Sequence, residues 1–111
     1  MTDADRWERL RALLEETLGT PVRLNARAYS QSRYGRVEHG VSYSITLRHA
    51  DGGTVDVDDR WWAKNDAKWL GYTVTAVGRD SIDRGRRAGL RSRHLVVTAV
   101  VDLLGAVPVG G

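Results

Sequence analysis

The chain opens with apolar residues at the spacing of a helix. Between residues 3 and 18, four large apolar residues recur every three or four positions and so share one helical face: Trp7, Leu10, Leu14 and Leu18. Thr2 or Asp3 can cap the first turn, and Gly19 ends the pattern. The sequence therefore predicts an amphipathic helix over residues 3–18.

From residue 22 onward, apolar and polar residues alternate with the period of a half-buried strand. This alternation predicts four strands, over residues 22–29, 41–48, 54–62 and 68–77. The polar stretch 30–40 contains two glycines and is predicted to be a loop. Residues 49–53 and 63–67 have the composition of hairpin turns.

Three of the four tryptophans lie in RWWAKNDAKWLGY, residues 60–72. Adjacent strand residues point to opposite faces, so one of Trp61 and Trp62 enters the core and the other is exposed or covered. A hairpin brings one of these two near Trp69 across the turn. A short helix over residues 59–69 is the alternative interpretation.

The last part of the chain is first basic and then apolar. Residues 78–94 are predicted to be a long basic connector that ends at Ser92, a good N-cap. Residues 95–104 have the length and apolar content of a helix that ends at Gly105. Residues 106–111 are expected to form a flexible tail.

These elements predict one α+β domain over residues 1–105, in the order α-β-β-β-β-α. The expected fold is a four-stranded antiparallel β-meander with an N-terminal and a C-terminal helix, both on one face of the sheet. Part of this order resembles the double-stranded-RNA-binding domain in topology. The segment GLRSR, residues 89–93, does not match that family's lysine-rich helix start, so the chain is not assigned to it.

Composition removes several classes of chemistry. The chain has no cysteine, which excludes disulfides, zinc fingers and thiolate catalysis. It lacks the catalytic and nucleotide-binding motifs GxSxG, HExxH, GxGxxG and the P-loop. Asp56 and Asp58 share a strand face, but no residues complete a metal site. We expect a non-enzymatic protein without cofactor or metal.

The N-terminal segment is acidic, unlike the start of a secretory signal, and the longest apolar stretch is too short to span a bilayer. A cytoplasmic protein without membrane contact is therefore expected. The net charge is +3, with fifteen arginines and two lysines. A GC-rich coding sequence produces such an excess without selection on function, so only the placement of the arginines is informative.

Positive charge is concentrated in residues 20–50 and 71–94, each of which sums to +4. The second segment ends at a predicted helix start, where backbone N–H groups favour anions, and guanidiniums donate to phosphates. We therefore predict nucleic-acid contacts at Arg84, Arg86, Arg87, Arg91 and Arg93. A second basic and aromatic set extends this predicted surface: Arg23, Arg27, Arg33, Arg36, Tyr29 and Tyr34.

The alternative function is that of a protein–protein adaptor or a small homo-oligomer. Apolar positions cover nearly the whole circumference of the predicted C-terminal helix, so one side is expected to stay exposed. The Trp-rich hairpin offers a second apolar surface, since tryptophan is frequent at the centre of protein interfaces. The predicted protein contacts are Trp62, Trp69, Val96 and Val100.

Overall fold

A computed structural model of the chain describes residues 2–49, 52–62 and 65–105. For residues 33, 38, 62 and 65–67 it describes the backbone alone. The predicted tail, 106–111, lies outside the described residues. The elements in chain order are α1 (Asp3–Leu18), β1 (Leu24–Arg33), β2 (Arg36–Arg48), β3 (Thr54–Trp62), β4 (Asn65–Val77), β5 (Asp83–Leu90) and α2 (Arg93–Leu103).

The N-terminal helix is confirmed over its predicted range. The Thr2 hydroxyl accepts a hydrogen bond from the backbone N–H of Asp5 at 3.2 Å, and the Asp5 carboxylate accepts one from the Thr2 N–H at 3.3 Å. This reciprocal capping box satisfies two N–H groups that the first turn leaves free. Gly19 ends the helix with a φ of 67°, in the left-handed region where glycine has no Cβ penalty. The predicted stripe of four apolar residues is buried.

The described strands form one antiparallel sheet in the order β1-β2-β3-β4-β5. The α+β class and the meander are therefore confirmed, and the prediction of four strands is wrong. The additional strand, β5, occupies the predicted basic connector. Apolar and polar residues do not alternate in β5, because α2 supplies the apolar side chain that covers it. A Cβ on Gly85 would lie 2.6 Å from Leu103 Cδ2.

The predicted loop at 30–40 is also wrong, because it continues β1 and β2 to a tight turn at Tyr34 and Gly35. These residues have φ values of 50° and 75°, as a two-residue hairpin turn with right-handed strand twist requires. Only residues 45–48 of β2 pair with β3. Residues 25–44, called the arm below, therefore extend beyond the sheet as a two-stranded ribbon, and the protein is 51 Å long.

The core lies between one face of the sheet and both helices. Ile45, Val57 and Val74 occupy one row across β2, β3 and β4, and none has exposed surface. Residues of α1 and α2 join the same cluster, and the two helices contact each other. Both helices therefore cover the same sheet face, called the helix side below. The opposite face, called the open face, carries no helix of the described chain.

The tryptophan-rich stretch forms the β3–β4 hairpin, as preferred over a short helix. Trp61 lies opposite Trp69, and the register shifts beside this pair. The irregularity turns Trp69 toward the core, where its ring contacts Tyr72 edge-on with the centroids 5.1 Å apart. Leu70, two residues before Tyr72, is consequently 36% exposed.

Candidate nucleic-acid interface

Strand alternation sorts the side chains of the sheet into its two faces. Thr46, Asp56, Thr75 and Arg86 lie directly opposite one another across four strands on the open face. In the arm, the same face receives the odd-numbered residues of β1 and the even-numbered residues of β2, because the pairing continues without a shift to Arg33 and Arg36. The open face and one side of the arm therefore form a single continuous surface.

Arginines dominate the charge of this surface. Five of them have exposed side chains there and make no ion pair among the described residues: Arg27, Arg36, Arg48, Arg60 and Arg86. Arg27 and Arg36 belong to the arm, and the other three to the body of the sheet. Arg33 lies opposite Arg36 in the register. Unpaired guanidiniums on one face are available to an anionic partner.

Two carboxylates from neighbouring positions of β3 lie among these arginines. Asp56 accepts a hydrogen bond from the Thr46 hydroxyl at 2.8 Å. Burial raises the pKa of Asp58 above its ordinary value, and the charges of Arg60 and Arg86 act against this shift. Asp58 thus lies within electrostatic reach of both arginines and partly neutralises them. The body of the open face is therefore mixed in charge, and the same side of the arm carries Glu38, opposite Gln31 in the register, together with its arginines.

Two arginines of α1, on the helix side, have carboxylate partners instead. Arg6 Nη2 lies 2.8 Å from Asp59 and 2.9 Å from Asp3. Arg11 bridges two acids of its own helix, Glu8 at 2.6 Å and Glu15 at 3.2 Å, and its Nη1 donates to the Val22 carbonyl oxygen at 3.3 Å. These contacts fasten α1 to the sheet and to the chain that follows it. The charges of Arg6 and Arg11 are therefore paired with carboxylates within the fold.

The structure does not bring the predicted connector arginines together on one surface. Arg86 is on the open face, whereas Arg87 is on the helix side with its Nη1 3.4 Å from Asp102 of α2. Arg84 pairs with Asp80 at 3.5 Å, and Arg91 lies exposed in the link to α2. Arg93 is the half-buried first residue of α2. This prediction of a single basic patch is corrected because β5 is a strand, whose consecutive side chains diverge.

The arm holds the aromatic residues predicted to flank the basic surface. Tyr34 stands at the turn and is 94% exposed. Tyr29 lies opposite Gly40, and its ring covers that glycine so closely that a Cβ there would meet the ring carbon Cζ at 2.5 Å. The absence of a side chain at Gly40 therefore lets Tyr29 lie against the ribbon. Arg27, two residues before it, is on the same face.

The predicted protein contacts on α2 are corrected. Val96 and Val100 have no exposed surface, because the sheet and α1 enclose the helix further than its all-round apolar pattern suggested. The exposed apolar residue of this helix is Leu95, at 52%. Trp69 is half-buried, and the side chain of Trp62 lies outside the described part of the chain. The exposed apolar surface available to an adaptor or a helix-mediated oligomer is therefore smaller than predicted.

Sequence reasoning missed a cluster centred on Arg6. Its guanidinium carbon lies 4.5 Å from the Trp69 ring centroid and 5.1 Å from that of Tyr72, within the range of cation–π attraction. Burial raises the pKa of Tyr72, and the nearby positive charge of Arg6 opposes the shift. Arg6 falls outside the apolar helical stripe, and Asp59 lies 53 residues away, so no sequence spacing indicates the contact.

Sequence reasoning also did not single out Arg48 and Arg60 of the open face. The strand alternation itself could have found them, because Arg60 follows Asp56 and Asp58 at two-residue steps.

Comparisons with family models, with curated proteins and with solved structures give no match to this chain. Within residues 2–49, 52–62 and 65–105, no cluster of histidine and acidic residues is arranged to hold a metal ion. Neither described helix is long and apolar enough to cross a membrane. The two surfaces of the sheet are therefore the features that bear on function.

Proposed function

We propose that this protein is a small non-enzymatic binding domain that contacts nucleic acid through the open face of its sheet and the basic side of its arm. The observation that carries the proposal is the set of five exposed arginines without an ion pair among the described residues, all on one continuous face. Phosphate groups are the partner that unpaired, planar guanidiniums bind with two hydrogen bonds each.

The shape of the surface favours contact with the phosphate backbone. The protein is 51 Å long and 21 Å thick, and its arginines are spread from Arg36 near the tip of the arm to Arg86 on β5. A duplex presents one negative charge per about 1.7 Å of its axis, so a long basic surface meets phosphates along its whole length. Contacts of this type position a protein without reading the base sequence.

Aromatic residues add a second type of contact at the arm. Tyr29 and Tyr34 are exposed by 45% and 94%, and each ring can stack on a base or lie against a sugar. The proposal keeps Arg33, Arg36 and Tyr34 of the predicted contacts, together with Arg86. It also retains Arg27 of the second basic set, and it replaces Arg84, Arg87, Arg91 and Arg93 with Arg48 and Arg60, which strand alternation assigns to the same face.

Fluorescence anisotropy with labelled single-stranded and double-stranded oligonucleotides tests the proposal. We expect binding at low salt that weakens steeply as salt is added. If all five arginines neutralise a phosphate of a duplex, the slope of log K against log[salt] is about −4.5. The double variant Arg60→Glu/Arg86→Glu is expected to weaken binding by about a hundredfold or more, since two attractive contacts become repulsive.

Arg9→Glu combined with Arg87→Glu is the matched control. It makes the same change in net charge on the helix side, where Arg9 and Arg87 are both exposed. The control is expected to weaken binding far less than the open-face variant. The proposal fails if no oligonucleotide binds at low salt, or if both double variants lose the same affinity.

A further inference from the structure

The sheet has two edges, and they differ in how they resist pairing with another strand. An edge strand presents unpaired N–H and C=O groups along one side, which makes it a template for a further strand. The outermost strands are β1 at one end and β5 at the other, and residues 36–44 of β2, in the arm, also lack a second partner strand. Proteins protect such edges with bulges, glycine or proline interruptions and charged side chains.

The β5 edge carries these protections. The register of its pairing with β4 shifts twice within eight residues. Gly85 and Gly89 have φ values of 154° and 70°, which bend the strand away from a regular ladder. Arg84, Arg86 and Arg87 add three like charges to this short strand. A second strand finds no long regular template at β5.

The β1 edge has almost none of them. All ten of its residues pair with β2 in an unbroken register from Leu24 to Arg33, and the segment LNARAYSQSR contains neither proline, glycine nor lysine. Its length at about 3.3 Å per residue is about 33 Å. The backbone N–H and C=O groups of every second residue point away from β2 and are available to a further strand. A long, regular and largely uncharged edge of this kind is normally covered.

We propose that β1 pairs antiparallel with β1 of a second copy of this chain, so that two five-stranded sheets join into one continuous sheet. A twofold axis through the centre of the strand makes the contact self-complementary. Because directly opposite residues share a face, both helix sides then lie on one side of the joined sheet. This inference does not depend on nucleic-acid binding.

The charges of β1 select the centre of the pairing. A centre at Tyr29 places Arg27 opposite Gln31 and Arg33 opposite Asn25, so no two arginines face each other. A centre at Arg27 opposes that residue to its own copy, a centre at Ser30 opposes Arg27 to Arg33, and a centre at Ala28 opposes Arg33 to Arg23. Like charges directly opposite each other destabilise an antiparallel pair. The structure therefore favours Tyr29 as the centre of the pairing.

Apolar residues on the helix side of the arm support a second copy as the occupant. Val37 and Val41 are 64% and 46% exposed, and Ala26 and Ala28 beside them in β1 are exposed as well. In the paired form, Ala28 lies opposite Ser30 and Ala26 opposite Ser32 of the second copy. Edge pairing thus places Ala26 and Ala28 beside side chains of the second copy, whereas Val37 and Val41 lie one strand further from the axis.

A cysteine crosslink tests this register, because the chain has no cysteine of its own. Tyr29→Cys places the thiol opposite its own copy, with Cβ atoms about 4.5–5.5 Å apart, within reach of mild oxidation or of a short bismaleimide. We expect rapid formation of a covalent dimer. Ser81→Cys, in the exposed turn between β4 and β5, is the matched control and is expected to stay largely monomeric.

Sedimentation equilibrium of the unmodified chain gives the mass without any substitution. We expect twice the monomer mass of 12.3 kDa at high concentration. Tyr29→Arg opposes two arginines on the axis and is expected to weaken the dimer by about tenfold or more, while circular dichroism shows the fold retained. Hydrogen exchange of the wild-type chain adds a readout that needs no variant: β1 amides become slower with concentration, and β5 amides do not.

Three outcomes overturn the proposal. A wild-type chain that remains at 12.3 kDa at millimolar concentration has no such pairing. A dimer that neither crosslinks through Tyr29→Cys nor slows exchange in β1 uses another surface. Pairing of β1 with a strand of a different protein, seen as β1 protection only when that protein is added, replaces the second copy as the occupant.

Discussion

The arginines on the two faces of the sheet differ in their carboxylate partners. On the helix side, Arg6, Arg11 and Arg87 each meet a carboxylate within 3.4 Å. On the open face, Arg60 and Arg86 are exposed and make no ion pair among the described residues. Arg9, on the helix side, is also exposed without an ion pair among the described residues, so the number of arginines says little about function, and the contacts of each arginine separate structural cations from available ones.

The largest loss of stability is expected when a charge is introduced on the helix side. Val74→Asp introduces a carboxylate at a position without exposed surface, and we expect a loss of about 4 kcal/mol or more in the free energy of unfolding. Thr75→Asp, one residue later on the open face, is expected to cost less than about 1 kcal/mol. Urea denaturation of both variants measures the contrast. Similar losses would contradict the assignment of the faces.

The ion pairs give the next contrast, within the helix side itself. Arg6→Ala leaves Asp59 without its partner at a side chain only 12% exposed and removes the cation from the Trp69 ring. We expect a loss of about 2–3 kcal/mol in stability. Arg87→Ala breaks a pair whose side chains are both about half exposed, and is expected to cost less than about 0.5 kcal/mol. Equal losses of stability in thermal or urea unfolding would show that the depth of burial does not determine how much each ion pair stabilises the fold.

Asp58 provides a pH-dependent test of the open face. Its pKa is raised in the folded chain from the ordinary 3.8, so the folded state holds the proton more tightly than the unfolded state does. Its carboxylate form therefore costs stability at neutral pH, and the cost disappears as the pH falls below about 3.8. Asp58→Asn is expected to stabilise the protein slightly at pH 7, by less than about 1 kcal/mol, and not at pH 3.

The matched control for this experiment is Asp83→Asn, which makes the same charge change at an exposed residue of β5. Urea titrations at pH 7 and pH 3 compare the two variants. A stabilisation by Asp58→Asn that persists unchanged at pH 3 would show that its cause is not the titration of this carboxyl group.

The smallest stability effect is expected at the tip of the arm. Tyr34→Ala removes a ring that is 94% exposed, so the free energy of unfolding should change by less than about 0.5 kcal/mol. Under the proposed function, the same variant weakens oligonucleotide binding by about tenfold, in line with the loss of one stacked base. Anisotropy and urea denaturation together separate the two effects. A large loss of stability would indicate that Tyr34 is part of the fold.

Elements with an apolar face could be predicted from the sequence. The helix at residues 3–18 and the strands around Ile45 and Val57 bury one regular stripe each, and their patterns carry that information. The hairpin at residues 60–72 was also recoverable, because its flanking strands alternate. The Ser92 cap indicated where the second helix begins.

The arm and β5 could not be predicted in this way. In the outer part of the arm, residues 30–40, side chains on both faces are exposed among those described, so nothing in its composition requires alternation. The turn at Tyr34 uses a positive φ at a residue other than glycine. In β5, Leu103 of α2 fills the space above Gly85, and the strand needs no apolar residue of its own there. Of the contacts predicted on β5, Arg87 consequently lies on the helix side, whereas the contacts predicted on the arm are kept.

The order of the strands sets the route by which the chain can fold. Each strand pairs only with strands adjacent to it in the sequence, so every step of sheet formation closes a short hairpin and loses little chain entropy. The contact between α1 and α2 joins the two distant parts of the chain, and forms only after the sheet has brought them together. We expect rapid zipping of the hairpins, followed by helix docking as the slower event.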